Sequence, residues 1–146
     1  MRNEQYDVEI TSSPATYVFV SEGRKGRITK IVKYTELDSS GIYNLGFGDK
    51  LGDSDDFDDK IVSNNGDSQK ILATVGATIY DFTDKNPTAF VVMKGSSLAR
   101  TRLYRINISN FWAEIHQDFH IFGQLDKHWQ PFEQNQDYAA FLLKRK

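Results

Sequence analysis

The 146-residue sequence contains no cysteine, which excludes disulfide scaffolds, thiolate zinc sites and cysteine nucleophiles. It has no apolar run approaching the roughly 18 residues that a membrane span needs. The polar start MRNEQYDVEI also lacks the apolar core of a signal peptide. We therefore expect a soluble, cytoplasmic protein that has no membrane partner.

Motifs for catalysis and for ligand binding are missing as well. The glycines of GFGDKLG (46–52) do not follow the nucleotide-binding spacing, and the aspartates around them would repel phosphate. An EF-hand loop starting at Asp53 would lack its sixth-position glycine. His116 and His120 are four residues apart but have no H-E-x-x-H context, and no nucleophile elbow occurs. We predict no metal, cofactor or catalytic residue, and we favour a binding protein over an enzyme.

The composition is that of a globular protein, with 39% hydrophobic and 26% charged residues, and the length predicts a single domain over residues 1–146. The net charge of −2 argues against a generic nucleic-acid binder. The charges are nevertheless concentrated: residues 22–33 and 94–105 each carry a local charge of +4, and residues 49–59 carry −5. The two basic segments are the places to look for an anion site.

Hydrophobic periodicity predicts an α+β fold in which helices cover an antiparallel sheet. The predicted strands are residues 6–10, 16–21, 27–37, 42–48, 89–93 and 120–125, followed by C-terminal strands with Pro131 on an edge. The predicted helices are residues 67–85, 98–106 and 110–118. Asn107 is expected to take the left-handed conformation that ends the second helix.

A helical wheel of residues 98–106 predicts which side of this helix is buried. One apolar stripe contains three residues: Ala99, Leu103 and Ile106. We expect this stripe to face the core, with Arg102 and Arg105 on one flank. Arg100 lies on the other. The ordinary structural explanation is that the arginine stems cover the edge of the core while their guanidinium groups pair with aspartates.

The start of the same helix is the first candidate anion site. Its first turn has backbone N–H groups without intrahelical partners. Together with the preceding serine hydroxyls and with Arg100, which stands against the helix dipole, these groups would hold a phosphate or carboxylate. The hypothetical site comprises six residues: Gly95, Ser96, Ser97, Arg100, Arg102 and Arg105.

The basic strand near the N-terminus is the second candidate, because single-stranded nucleic acid is bound by cations and stacking rings together. The hypothetical nucleic-acid site comprises Arg24, Lys25, Arg27, Lys30 and Tyr34. Lys30 and Lys33 point to opposite faces of a strand, which weakens this hypothesis. The alternative is a solvent-exposed antiparallel strand.

Five segments, in this order, resemble an uncharacterised family of small bacterial α+β proteins: SEGRKGRITKI, YNLGFGD, SNNGD, ATVGATIYDF and GSSLARTRLYR. The resemblance extends from about Tyr17 to Lys146 and implies no activity. Residues 17–82, four strands followed by a helix with RKGRITKI opening a strand, are also similar to the PUR-type repeat of single-strand nucleic-acid binders.

Three functions are consistent with the sequence. The preferred one is a non-enzymatic module that binds an anionic partner, with single-stranded nucleic acid as the most concrete candidate. The second is an enzyme or sensor for a small phosphorylated or nucleotide ligand in a pocket near Gly95. The third is a protein-interaction module whose acidic stretch 49–59 meets a basic protein partner.

Overall fold

A computed structural model describes residues 4–11, 15–52, 57–58, 65–95 and 97–146 of the chain. The described residues form nine strands and three helices. The strands are β1 (Glu9–Ile10), β2 (Thr16–Gly23), β3 (Gly26–Glu36), β4 (Ile42–Lys50), β5 (Phe57–Asp58), β6 (Phe90–Met93), β7 (Phe119–Leu125), β8 (His128–Pro131) and β9 (Phe141–Arg145). The helices are α1 (Ser68–Lys85), α2 (Leu98–Asn110) and α3 (Trp112–Asp118). The predicted α+β class and its mostly antiparallel pairing are confirmed.

The chain divides into two compact units, and the strand β4 contributes a part to each. The first unit consists of Met1–Thr35 and Gly46–Phe82, and the second of Glu36–Leu45 and Thr83–Lys146. The expectation that the 146 residues act as one domain stays a prediction.

In the first unit, β2 and β3 form a long antiparallel hairpin in which Thr16 pairs with Lys33 and Gly23 with Gly26. β1 pairs with β2 on one side of the hairpin. On the other side, β4 lies next to β3, and β5 pairs with β4. The helix α1 covers the hairpin face that carries Tyr34, whose ring stacks on Phe82 with centroids 4.2 Å apart. This helix is amphipathic as predicted. It ends at Lys85, just before Asn86-Pro87, because the residue before a proline disfavours helical geometry.

In the second unit, the start of β4 pairs in parallel with β6, and β9 lies between β6 and β7 in antiparallel register. Among the described strands β8 pairs with β7 alone and forms an edge, which agrees with the predicted edge position of Pro131. The core is rich in rings: Trp112, Phe132, Tyr138 and Phe141 pack with centroids 5.3–6.1 Å apart. Gly123 lies under the Tyr138 ring, where a Cβ atom would come within 2.4 Å of it.

The predicted strand 6–10 is wrong over most of its length, because β1 contains only Glu9 and Ile10. Tyr6 leaves the sheet and lies over it instead. Its ring stacks on Phe19 at 5.8 Å, and its N–H donates to Thr74 Oγ1 at 2.8 Å. The remaining predicted strands agree with β2, β3, β4, β6 and β7 to within two residues at each end.

The prediction that a helix ends at Asn107 is wrong. Asn107 lies inside α2, which continues to Asn110, and Phe111 separates it from α3 with φ −109° and ψ 19°. Ile108 is almost completely buried, so an additional turn of helix places an apolar side chain in the core.

The predicted orientation of α2 is also wrong. Its buried residues are Thr101, Tyr104, Asn107 and Ile108, at the i, i+3, i+6 and i+7 positions. The stripe of Ala99, Leu103 and Ile106 is exposed. The helix therefore has two sides that can pack, and the core takes the side that carries Tyr104 because a buried aromatic side chain removes more surface from water.

Candidate functional site

The turn between β2 and β3 is fixed by a single buried side chain, that of Asn65. The Lys25 N–H donates to Asn65 Oδ1 at 2.6 Å, and the Arg24 N–H donates to the Asn65 carbonyl at 3.1 Å. Asn65 Nδ2 donates in turn to the Gly26 carbonyl at 2.9 Å and to Ser21 Oγ at 3.1 Å. Asn65 is 2% exposed, so these bonds are shielded from water. We call residues 23–26 with Asn65 the pinned turn.

Two glycines permit this close approach. A Cβ atom on Gly23 would lie 1.9 Å from the Asn65 carbonyl oxygen, a separation that no side chain tolerates. Gly26 has φ +88°, a left-handed conformation that favours glycine. The glycines at 23 and 26 that predict a hairpin in the sequence therefore have two different physical reasons.

The five residues predicted for nucleic-acid binding separate into two groups. Arg24, Lys25 and Arg27 are exposed at or next to the pinned turn. Lys30 and Tyr34 are each 4% exposed and point into the first unit. The structure therefore brings three of the five together on an accessible surface and removes the other two from it.

Lys30 forms an ion pair with Asp49 of β4, and both side chains are largely shielded from solvent. A buried ammonium must be paired, since desolvation of an isolated charge costs several kcal/mol. Tyr34 packs on Phe82 and shares a hydrogen bond of 2.9 Å with Thr78 Oγ1. Both residues thus have structural roles.

Arg24 and Arg27 are partly held in place. The Arg24 guanidinium lies over Gly66, where a Cβ atom would come 3.0 Å from Nε. Arg27 Nε lies 3.4 Å from Glu22 Oε1, and both of these side chains are well exposed. An exposed pair of this kind contributes little, about 0–1 kcal/mol, so Arg27 can exchange Glu22 for another anion.

The start of α2, where an anion site was predicted, has several hydrogen bonds of its own. Ser97 is the N-cap, and its Oγ accepts from the Arg100 N–H at 3.2 Å. The Gly95 N–H donates to Thr101 Oγ1 at 3.1 Å, and the Thr101 hydroxyl donates to the Ser97 carbonyl at 3.0 Å. Ser96 lies outside the described residues.

Gly95 also packs directly on the first turn of α2. A Cβ atom on Gly95 would come within 2.4 Å of the Thr101 nitrogen and 2.8 Å of Arg100 Cβ. The space beside this glycine is therefore occupied by the helix itself.

The three arginines of α2 have different surroundings. Arg100 is half-buried, and Arg102 is exposed. Arg105 Nε lies 3.6 Å from Asp137 Oδ1. The pairing of Arg105 with Asp137 agrees with the structural explanation given above, in which the arginines of α2 pair with aspartates.

The acidic stretch 49–59 is described only in part. Asp53, Asp55, Asp56 and Asp59 lie outside the described residues. Of the rest, Asp49 pairs with Lys30, and the Lys50 ammonium donates to the Gly52 carbonyl at 2.8 Å.

Two open grooves occur in the first unit, and Arg27 borders both. One, of about 420 Å³, is lined by Tyr6, Phe19 and Lys70 but also by three acids: Asp7, Glu9 and Glu22. The other, of about 610 Å³, is lined by Thr29, Asp49, Lys50 and Leu51. Neither is enclosed by cations alone, so the exposed surface of the pinned turn is better suited to an anion than either groove.

Asp67 forms a second polar cluster that sequence reasoning missed. Asp67 Oδ2 accepts from the Tyr6 hydroxyl and from Ser21 Oγ, both at 2.5 Å, and its Oδ1 is buried without a hydrogen-bond partner in the described part of the chain. Burial and the hydrogen bond to Asp67 raise the pKa of Tyr6 above its usual value. Because Ser21 bonds both Asp67 and Asn65, the cluster is continuous with the pinned turn.

Sequence signals for these contacts are weak. SNNGD marks a turn at Asn65, but nothing in it indicates a bond to Lys25, 40 positions earlier in the chain. The same is true of Asp67 and Tyr6, which are 61 positions apart.

His116 and His120 lie on different elements of the fold. His120 is on β7, whereas His116 is on α3, where its Nδ1 lies 2.5 Å from the Trp112 carbonyl and its ring stacks on that of Trp112. Across the described ranges, no cluster of three or more histidine, cysteine, aspartate or glutamate side chains could hold a metal ion. Within those ranges, no helix combines the length and hydropathy needed to cross a membrane.

The protein is thus a small α+β protein with an accessible basic surface at the pinned turn. The chain belongs to a family of unknown function (DUF6934), whose model matches residues 2–146. The predicted membership in an uncharacterised family is confirmed, and it extends beyond Tyr17 to nearly the whole chain. A search of curated proteins and a search of solved structures each found no match. The similarity to PUR-type repeats is not shown by any of these comparisons.

Proposed function

We propose that the protein is a non-enzymatic binding module for an anionic partner and that the pinned turn, with Arg24, Lys25 and Arg27, is its binding surface. The observation that carries the proposal is the fixation of this turn by the buried Asn65. A hairpin turn whose only purpose is to reverse the chain needs no buried side chain bonded to its backbone.

Fixation matters for binding because it reduces the entropy that a partner must remove. The backbone N–H groups of Arg24 and Lys25 are already bonded to Asn65, so only side chains have to be ordered on binding. Arg24 is further held by its contact with Gly66. The backbone that carries these cations is thus held in one arrangement.

The charge balance around the turn also supports an anionic partner. Between residues 22 and 27 there are three basic side chains and one acid, Glu22. Since Glu22 and Arg27 form an exposed pair, a phosphate or carboxylate can replace Glu22 at small cost.

Burial of the rings argues for recognition through charge and not through base stacking. Tyr17, Phe19 and Tyr34 of the hairpin are at most 4% exposed. Single-stranded nucleic acid therefore remains a candidate partner through its phosphates, with little discrimination between bases. A small phosphorylated ligand near Gly95 is less favoured, since α2 occupies the space beside that glycine.

The direct test is a fluorescence-anisotropy titration with a labelled single-stranded oligonucleotide of mixed sequence, repeated at several salt concentrations. With three phosphate contacts we expect log K to fall against log salt with a slope of about −2. Between 50 and 200 mM salt this corresponds to a loss of affinity of about 20-fold. Labelled polyglutamate, titrated in parallel, distinguishes a nucleic-acid partner from an acidic protein.

The informative variant is Arg24→Gln/Lys25→Gln/Arg27→Gln, which should reduce affinity at least tenfold and flatten the salt dependence. The control Lys94→Gln/Lys127→Gln/Lys146→Gln has the same change in net charge at three exposed lysines of the second unit. If the control loses as much affinity as the test variant, the turn is not the binding surface. A loss in Arg100→Ala alone would move the site to the start of α2.

We also propose that the protein acts in the cytoplasm, consistent with a cysteine-free chain. A fluorescent fusion of the full chain tests this directly, and an extracytoplasmic signal would contradict it.

A further inference from the structure

The outward side of α2 carries an apolar stripe that nothing in the proposed function uses. The stripe consists of Ala99, Leu103 and Ile106. Leu103 is 39% exposed and Ile106 40%; the neighbouring Leu98, which lies on another side of the helix, is 85% exposed. Single exposed apolar residues are common on protein surfaces, but these three recur at helical spacing over about 10 Å of one helix.

The spacing of the stripe is that of a helix-packing surface. Ala99, Leu103 and Ile106 are related as i, i+4 and i+7, which places them within about 60° on a helical wheel. The opposite side of α2, with Thr101, Tyr104 and Ile108, is already packed in the core. Ala99 is small and exposed, so it does not hinder the close approach of an apolar side chain.

Charge beside the stripe limits what can occupy it. The sequence of α2, LARTRLYRINISN, contains three arginines and no aspartate or glutamate. Arg102 is exposed and lies about 40° from Ile106 on the wheel, so it borders the stripe directly. Within the described part of the chain Arg102 has no ion-pair partner, whereas Arg105 pairs with Asp137.

A second copy of this chain is a poor occupant because of that charge. Two α2 helices packed through their stripes would bring Arg102 of each copy close to the other, with no acid in either helix to separate them. An occupant that carries acids beside an apolar seam would instead gain both packing and charge pairing.

We propose that the outer stripe of α2 is a docking surface for an acidic amphipathic helix of another protein. The apolar side of that helix packs on Ala99, Leu103 and Ile106. A carboxylate next to its apolar seam pairs with Arg102.

The test uses two labelled synthetic helical peptides of equal length, both with leucine at i, i+4, i+7 and i+11. One has glutamate at the positions flanking the seam, and the other has lysine there. Anisotropy titrations of the full chain should give saturable binding of the acidic peptide and at least tenfold weaker binding of the basic one.

Variants at the stripe separate packing from charge. Leu103→Glu should weaken binding of the acidic peptide about tenfold or more. Arg102→Glu should weaken it similarly and should create affinity for the basic peptide, a reversal that loss of folding cannot produce. The matched controls are Leu37→Glu, whose leucine is 41% exposed, and Lys127→Glu. Both should leave binding unchanged, and neither α2 variant should change oligonucleotide affinity.

Three results would overturn the proposal. The first is no saturable binding of the acidic peptide, or equal binding of both peptides that Arg102→Glu does not alter. The second is a dimer in light scattering that Leu103→Glu dissociates, which assigns the stripe to a second copy. The third is co-sedimentation with vesicles of anionic lipid that Leu103→Glu abolishes without any peptide binding, which assigns it to a membrane surface.

Discussion

The two basic segments look alike in sequence but differ in how their backbone polar groups are satisfied. In the pinned turn, the distant Asn65 bonds the backbone, so Arg24 and Lys25 need only present their side chains. At the start of α2, Ser97 caps the Arg100 N–H from within the same segment, and the helix leaves little room beside Gly95. Local charge density therefore does not identify an anion site, whereas the acceptors of the backbone N–H groups are informative.

The largest expected effects come from the glycine that permits close packing in each segment. Gly23→Ala would place a Cβ atom 1.9 Å from the Asn65 oxygen, and Gly95→Ala would place one 2.4 Å from the Thr101 nitrogen. Because both obstacles are backbone, we expect each change to lower the free energy of unfolding by at least about 3 kcal/mol. Urea denaturation measures both.

Gly26→Ala is the control for these two substitutions. A Cβ atom there meets nothing within 4 Å, so only its φ of +88° penalises alanine. We expect a loss of about 1 kcal/mol. If Gly23→Ala is no more destabilising than Gly26→Ala, the turn is not held by Asn65 as described.

The next prediction tests whether Lys30 of β3 has a structural role, in contrast to the cations of the pinned turn. Lys30→Met leaves Asp49 in a largely buried position without its ion pair, and we expect a loss of about 3 kcal/mol in the free energy of unfolding. The fraction of Lys30→Met that remains folded should bind the oligonucleotide with the same slope of log K against log salt as the wild type. A reduced slope would mean that Lys30 contacts the partner after all.

Removing the Asn65 side chain from the pinned turn, or the Ser97 side chain from the start of α2, should lower the free energy of unfolding by smaller and unequal amounts. Asn65→Ala removes three hydrogen bonds made by one buried amide, and we expect a loss of about 2 kcal/mol. Ser97→Ala removes one exposed helix cap, which is worth about 1 kcal/mol. Thermal denaturation gives both values.

Oligonucleotide affinity distinguishes Asn65→Ala from Ser97→Ala more clearly than stability does. Asn65→Ala should weaken oligonucleotide binding although every cation is retained, because, of the bonds that hold the turn, only the one from the Arg24 N–H to the residue-65 carbonyl is left. Ser97→Ala should not change it. The opposite pattern would place the anion site at α2.

Tyr17→Phe should have an equally small effect at neutral pH. The Tyr17 hydroxyl donates to Asp81 Oδ2 at 2.6 Å, and the loss of this bond should cost about 1 kcal/mol. Burial and the bond to Asp81 raise the pKa of Tyr17 above its usual value. The contribution of Tyr17 to wild-type stability should thus be constant below a pH of about 10 and fall above it, where the unfolded tyrosine loses its proton and the folded one keeps it.

Tyr17→Phe should make that alkaline decline shallower. Tyr6→Phe also removes a hydroxyl that is bonded to an aspartate. Added to Tyr17→Phe, it should reduce the remaining loss of stability at alkaline pH. An unchanged decline in the double variant would show that neither hydroxyl is held in its neutral form by the fold.

The predictable part of the molecule is the part that local pattern controls. Helix α1, the β2–β3 hairpin and the buried strand β6 follow from periodicity and turn residues, because each of these is decided within about twenty positions. The exposed position of Arg24, Lys25 and Arg27 also agrees with a turn bounded by two glycines.

The parts that were mispredicted depend on competition between distant groups. In α2, periodicity alone favours the stripe of Leu103 and Ile106 as the buried side, but the core takes Tyr104 and Ile108. Lys30 alternates correctly on its strand, yet only the position of Asp49 on β4 explains why that side chain is buried. Tyr6 leaves the predicted strand because Thr74 and Phe19 offer it better contacts.

The bond from Asn65 to the turn also determines when the turn is completed during folding. The Lys25 amide belongs to an exposed residue and would exchange its hydrogen quickly in an isolated hairpin. Its acceptor lies 40 residues away, so its exchange rate reports whether the segment that begins α1 has docked. The pinned turn is therefore completed only once Asn65 has been synthesised and has docked, and we expect that a partner that needs the completed turn does not recognise the nascent hairpin alone.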